Sequence, residues 1–223
     1  MRFKIPKLKK NEKTFLFLII PLIISGFAYY YYIHHTRPNI ENKKELSVAL
    51  VSDIHAGSEK ESHKKFASVY PKDYAKNIAP VLNSRTDLII TLGDNINDPT
   101  ECPYAQKLLD LTKYKNILWA KGNHDKECFS ILNKQNYYYH DYNNAGWRII
   151  MLDDDIDVDP QELEWLKETL KTDKKVLIAT HVPFFSPSRD ENTLLPQYTE
   201  AERVISVSGN VKYVFMGHLH SRL

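Results

Sequence analysis

Cysteine is scarce here, with two in 223 residues. At most one bridge follows, between Cys102 and Cys128, and a structural zinc site built from thiolates is disfavoured. Whether the two come close enough to bond is left open by their positions in the chain. Glycine is scarce too, at seven. An excess of charge of one sign is missing, since 30 Lys and Arg face 28 Asp and Glu. The sustained basic footprint of a nucleic-acid binder is therefore absent, and no nucleic-acid partner is expected. No segment repeats with a period of 20–50 residues, which excludes a solenoid. What is present is a 43% hydrophobic content, globular in character, in a chain long enough for one well-cored domain with an appendage.

Charge is distributed unevenly. Residues 1–13, "MRFKIPKLKKNEK", hold six Lys or Arg and one Glu, whereas residues 14–33, "TFLFLIIPLIISGFAYYYYI", hold no charged residue. About 20 apolar residues at helical rise span a bilayer core. The tyrosines at 29–32 suit the interface, and a basic flank stays cytoplasmic. The expected organisation is a basic cytoplasmic tail (1–13), an uncleaved single-pass membrane anchor (14–33), a polar linker (34–45) and an extracytoplasmic domain (46–223). A signal peptide cleaved near Gly26-Phe27-Ala28 is the competing reading. In the expected exported location a disulfide would persist.

From residue 46 onward, short apolar runs alternate with amphipathic stretches. The runs cover 46–51, 87–92, 116–120, 147–152, 175–180 and 211–216, and their Val, Ile and Leu content predicts strands buried on both faces. Helices are predicted at about 63–84, 103–113, 126–135, 160–171 and 197–207, and 137–143 reads as an edge strand and turn. Such alternation indicates an α/β layered fold.

Polar residues able to ligate a metal follow five of the six runs, always at the C-terminal side, the edge where open α/β sheets build their sites. Asp53 and His55 follow the first run, and Asp94 and Asn95 the second. Asn123, His124 and Asp125 follow the third, His181 the fifth, and His218 and His220 the last. Glycines at 93, 122 and 217 would let the backbone leave the strand without a Cβ clash. Carboxylate and amide oxygens mixed with imidazole nitrogens suit Mn, Fe or Zn better than Ca. The set exceeds what one ion needs, and two ions sharing a carboxylate is the arrangement for displacement at phosphorus.

The blocks "DIH" (53–55), "GDN" (93–95), "GNHD" (122–125), His181 and "GHLH" (217–220) together resemble the calcineurin-like metallophosphoesterases, in that family's order. The resemblance implies a four-layered αββα sandwich with a site for two divalent transition-metal ions at the strand ends. It implies that Asp53, His55 and His220 hold one ion, that Asn123, His181 and His218 hold the other, and that Asp94 bridges them. His124 would act on the leaving group and Asp125 would orient its imidazole. The implied reaction is hydrolysis of a phosphate mono- or diester by a metal-bound hydroxide, and the implied partner is a phosphoester substrate. Members of the family continue beyond the position of His220, so C-terminal strands of the second sheet are expected to be missing. The alternative function is a catalytically impaired scaffold of the same fold; a polynucleotide nuclease would require the basic groove already found wanting.

Asp153, Asp155, Asp157, Asp159 and Glu164 imitate a calcium-binding loop, but Val158 stands where that loop needs glycine. Asp159, Pro160 and Glu162 fit better as N-cap, N1 and N3 of a helix. "HVPFFSP" (181–187) offers an apolar lip to a pocket, and Arg189 in the following polar loop is a candidate phosphate contact.

Overall fold

Alternation with a period of two decides the architecture of residues 38–223. The computed structural model describes residues 21–31, 36–57, 74–153, 159–183 and 198–218. Three parallel strands, β1 (Val48–Val51), β2 (Leu88–Thr91) and β3 (Ile117–Leu118), form one sheet in the order β1-β2-β3. The second sheet has the order β4-β5-β6-β7, from β4 (Tyr138–Tyr142), β5 (Trp147–Met151), β6 (Lys175–Thr180) and β7 (Val211–Met216). In it β5, β6 and β7 run parallel, while β4 is antiparallel to β5 at the edge, as the 137–143 pattern predicts.

Successive strand residues point to opposite faces, so each sheet feeds two cores. Leu88, Ile90 and Leu92 from the first sheet meet Ile149, Met151, Leu177 and Ala179 from the second, filling the space between sheets. Ile150, Leu152, Val176 and Ile178 face the other way, against Leu166 of helix α5 (Pro160–Thr169) and Ala201 and Ile205 of α6 (Tyr198–Val207). Behind the first sheet, Ile54, Ile96 and Trp119 pack against Ile78 of α2 (Tyr74–Leu82), Leu108 of α3 (Pro103–Thr112) and Phe129 of α4 (Phe129–Leu132). Three cores separate four layers, the αββα order. Burying side chains of this size contributes roughly 1.5–3 kcal/mol each. Between the outer strands β1 and β7 the sheets leave an apolar cavity of ≈ 250 Å³, lined by residues such as Leu46, Val48, Trp147, Tyr213 and Phe215.

Some expectations change. The predicted helix at 126–135 is a 3-10 turn, Lys126–Cys128, followed by the single α-turn of α4, because Asn133 adopts an extended backbone and ends it. The 34–45 segment is not simply a linker: Ile40 is buried in the inter-sheet core, and Asn116 Nδ2 donates to the Pro38 carbonyl at 3.0 Å. The calcium-loop likeness yields to the helix start, since the Asp159 carboxylate accepts from Gln161 N and Pro160 opens α5. Glu162, however, does not complete a capping box; its Oε1 accepts from the Asp153 main-chain N–H at 2.9 Å.

Residues 1–37 form a separate unit, in which residues 21–31 are helix α1. Its Leu22, Ile23, Ile24 and Phe27 are exposed. Among the described residues no helix is long and apolar enough to cross a membrane, and residues 14–20, 32 and 33 of the expected anchor lie outside them.

On the β4–β5 pair, Asp141 stands opposite Arg148, which donates to both carboxylate oxygens at 2.7 and 2.8 Å and to the Thr169 carbonyl at the end of α5. The guanidinium bonds hold the Asp141 carboxyl below its ordinary pKa. Its stabilisation is therefore complete above the usual carboxylate range and is lost as pH falls through the depressed value. Asp141→Asn is expected to cost about 1 kcal/mol at pH 7. The difference from the parent should vanish in urea titrations carried out near pH 2.

Candidate metal centre

Beyond the last paired residues, the chain segments that carry the polar groups stay hydrogen-bonded to one another. Asp53 N donates to Gly93 O, His55 N to Asp94 O and Ala56 N to Asn95 O, so the segments after β1 and β2 run side by side. Gly217 N likewise donates to His181 O and joins the segments after β6 and β7. This lacing holds a strained backbone. Asp53, His55, Asp94 and His218 all have positive φ, between 47° and 73°, without being glycine. Such conformations cost of order 1 kcal/mol or more each and persist where the surroundings over-determine them. Four of the five non-glycine residues so strained among those described are sequence-predicted ligands, which marks this edge as functional.

Two glycines serve close approach. Gly93, at φ +84°, makes the turn the sequence predicts, and a Cβ there would sit 2.6 Å from the His181 side chain. Gly122 turns through no left-handed conformation; a Cβ there would lie 2.1 Å from Asp94 N, so its role is contact.

The ligand candidates converge in two groups that share Asp94. Asp53, His55 and Asp94 form one, and Asp94, His181 and His218 the other, with one potential ligand atom from each residue lying within 4.8 Å of the others in its group. Asn123 joins the second group, its Oδ1 3.1 Å from His181 Nε2. His220 lies outside the described residues, as does Arg189.

The chemistry at His181 tests whether these residues fit a cation. Its Nδ1 lies 2.7 Å from the Leu92 carbonyl, which only accepts, so Nδ1 carries the proton. Nε2 of the neutral ring then presents a lone pair to Asp94 Oδ2 at 3.1 Å, Asn123 Oδ1 at 3.1 Å and His218 Nδ1 at 3.2 Å. The lone pairs of the two oxygens, Asp94 Oδ2 and Asn123 Oδ1, are directed at that of Nε2 and repel it unless a positive charge lies among them. A divalent ion satisfies that arrangement, and a hard and borderline O/N donor set suits one. Burial, the largest single effect, opposes the charged imidazole, but the bond to and charge of Asp94, with the Leu92 carbonyl and Asp53, together raise the His181 pKa. Reciprocally, burial works to raise the pKa of Asp94, yet His181 and the His124 N–H bring it below the ordinary value. The residues fit.

His124 borders both groups. Its main-chain N–H donates to Asp94 Oδ1 at 2.9 Å, its ring stands edge-on to His55 with centroids 5.0 Å apart, and its side chain is 31% exposed. Nδ1 lies 2.7 Å from the Asn97 carbonyl, which corrects the role expected of Asp125. Asp125 does not orient the imidazole. It is fully buried, and its carboxylate accepts from Gly122 N, Ile96 N and Asn95 Nδ2 at 2.8–2.9 Å, clamping the 93–97 and 120–125 segments together. Burial pushes its pKa up to about 7 against the pull of those N–H donors, with the Asp94 charge adding to the rise. Asn95 Nδ2 also donates to Ala120 O at 2.8 Å.

The Asn97 carbonyl escaped the sequence reading because a main-chain acceptor leaves no trace in residue type. Cys102 and Cys128 are bonded, with Cα atoms 4.9 Å apart, and the closed loop between them contains Asn123, His124 and Asp125.

A family model described as calcineurin-like phosphoesterase matches residues 46–222. A relative from Fibrobacter succinogenes, named a probable cyclic nucleotide phosphodiesterase, is 27% identical over 198 residues, covering 81% of this chain and 75% of its own. Among solved structures, a purple acid phosphatase from yellow lupin (Lupinus luteus) seeds shares the fold, with a TM-score of 0.57 at 14% identity over 80% of this chain. The chain spans 38% of that protein's length.

Gly122→Ala is expected to displace Asp94 and to weaken divalent-cation binding more than about tenfold, in the range seen when the support of a metal ligand is lost. Calorimetric titration with Mn²⁺ would measure this, with far-UV circular dichroism to show that the sheets persist.

Proposed function

This chain belongs to the calcineurin-like phosphoesterases, a family of hydrolases, and from that premise we propose that it cleaves phosphoester bonds with the help of divalent cations that two ligand groups sharing Asp94 would hold. The observation that carries the reading is the convergence of two ligand groups on that one carboxylate. Asp53 and His55, joined by His220, would hold one ion; Asn123, His181 and His218 would hold the other. Bound there, Mn, Fe or Zn ions would supply Lewis-acid activation of water and neutralise charge on the phosphoryl oxygens.

The protein's own groups account for the remaining steps. The hydrogen bond from His124 Nδ1 to the Asn97 carbonyl fixes the ring, so that Nε2, 3.9 Å from Asp94 Oδ2, is the nitrogen turned to the site. From this position the Nε2 N–H would pass a proton to the departing alkoxide. Asp125 holds the two segments that carry Asp94 and His124 at a fixed separation and touches neither substrate nor imidazole. The name of the Fibrobacter relative favours a phosphodiester over a monoester, with a nucleotide as the first substrate to test.

The same reading places the enzyme at a membrane, through residues 14–33, with its catalytic domain outside the cytoplasm. Two observations support that placement: the basic flank at 1–13, and the Cys102–Cys128 bond, which persists in oxidising compartments.

The test is hydrolysis of cyclic nucleotides and of aryl phosphate mono- and diesters by the full chain in detergent, with Mn²⁺ added and bound metal measured in parallel. Asp94→Asn should lose both metal and turnover. His124→Ala should retain its metal while turnover falls about 10²–10⁴-fold. Loss of metal from the His124 variant would overturn the role given to that residue.

A further inference from the structure

The metal centre draws its ligands from two sheets, and the segment bearing Asn123 has little main-chain pairing of its own. Strand β3 ends at Leu118. Beyond it the segment is held largely by side chains. Trp119 N and O both bond the Tyr138 hydroxyl, at 2.9 and 3.0 Å, Ala120 N donates to Thr91 Oγ1 at 3.1 Å, and Gly122 N donates to Asp125. Of the side chains that reach across to the second sheet, Lys121 stands nearest to Asn123 in the chain. Its Nζ lies 2.9 and 3.1 Å from the two carboxylate oxygens of Asp153.

Asp153 is well placed to act as a datum. Met151 pairs with Ala179, so Asp153 and His181 each follow that paired position by two residues on neighbouring strands. Its main chain is fixed twice over: Leu152 N donates to Ala179 O, and Asp153 N donates to Glu162, which is buried on α5. Lys121 and Asp153 are only 12% and 9% exposed at their side chains. A buried ion pair is weak evidence for stability, because well-packed apolar residues often serve as well or better. What it imposes is a geometry.

We infer that the Lys121–Asp153 pair is a positioning device that sets the distance between Asn123 and His181, and so tunes one half of the metal centre. The inference rests on the two-cation reading above. Asp53, His55 and Asp94 all hang from the first sheet, on segments laced directly together, and His181 is tied to the first sheet at Leu92. Those distances do not depend on Lys121. The gap between Asn123 and His181 has one further constraint, because Lys121, two residues before Asn123, is bonded to Asp153 beyond β5, the neighbour of the strand that leads to His181.

The experiment is a Mn²⁺ titration of the full-length protein in detergent, by calorimetry and by electron paramagnetic resonance of the bound ions, with kcat and KM measured alongside. The parent should bind two ions per chain. Lys121→Met should keep one site at parental affinity, weaken the other about 10–100-fold and reduce kcat with little change in KM. Lys121→Arg, which can span the same carboxylate, should restore both. Should Lys121→Met fail to fold, Asp153→Asn keeps the main-chain bond to Glu162 and should show the same one-site weakening. A parent that binds no pair of ions defeats the two-cation reading itself. A parent with two sites and folded variants with both sites unchanged, or both weakened alike, overturns the inference, as does a folded arginine variant that rescues nothing.

Discussion

The Asp94 carboxylate is pulled on from both sheets at once. From the first sheet the His124 main-chain N–H and the neighbouring His55 ring approach it; from the second, His181 reaches it at 3.1 Å. Neither sheet alone provides both ligand groups. The first offers oxygens and one imidazole, and the second offers the imidazoles of His181 and His218. The site therefore depends on the separation of two sheets whose main-chain ladders do not cross. That separation rests on the apolar core between them and on a few polar links at the rim, such as His181 to Leu92 and Tyr138 to Trp119.

Placing ligands at this rim carries a conformational penalty. Four of them sit in left-handed backbone, and a fully buried carboxylate, Asp125, is spent on fixing main-chain donors. The compensation comes from lacing adjacent segments so that no single residue can relax by itself. It also explains why Gly122 borders Asp94 so closely. The segment that delivers Asn123 and His124 must lie against the Asp94 carboxylate, with no space for a methyl group between them.

Much of this was legible in the chain. Runs such as "LIIT" and "KVLIAT" are buried on both faces, and their apolar content with polar residues immediately after them gave strands and ligands together. Asp53, His55, Asp94, Asn123, His181 and His218 could be named because Asp and His at strand ends are conspicuous by type. What escaped was set by tertiary partners. His124 and Asp125 are neighbours in sequence, which suggested a pair, yet adjacent side chains diverge and the partners came from Asn97 and Ile96. The Lys121–Asp153 pair leaves no trace in the chain, because the match depends on how segments 32 residues apart meet in the fold. The buried Ile40 was hidden for a different reason, lying alone among polar neighbours with no periodic pattern to reveal it.

The bond between Cys102 and Cys128 has a practical consequence for handling the enzyme. It closes a covalent ring around the segment that presents the imidazole and the amide ligand. Dithiol reductants, a routine guard for oxidation-prone metalloenzymes, would open that ring and also compete for the ions through their own sulfurs. Preparations kept in such buffers would lose activity for two unrelated reasons, and a phosphine reductant, which opens the ring without offering sulfur ligands, is what separates them.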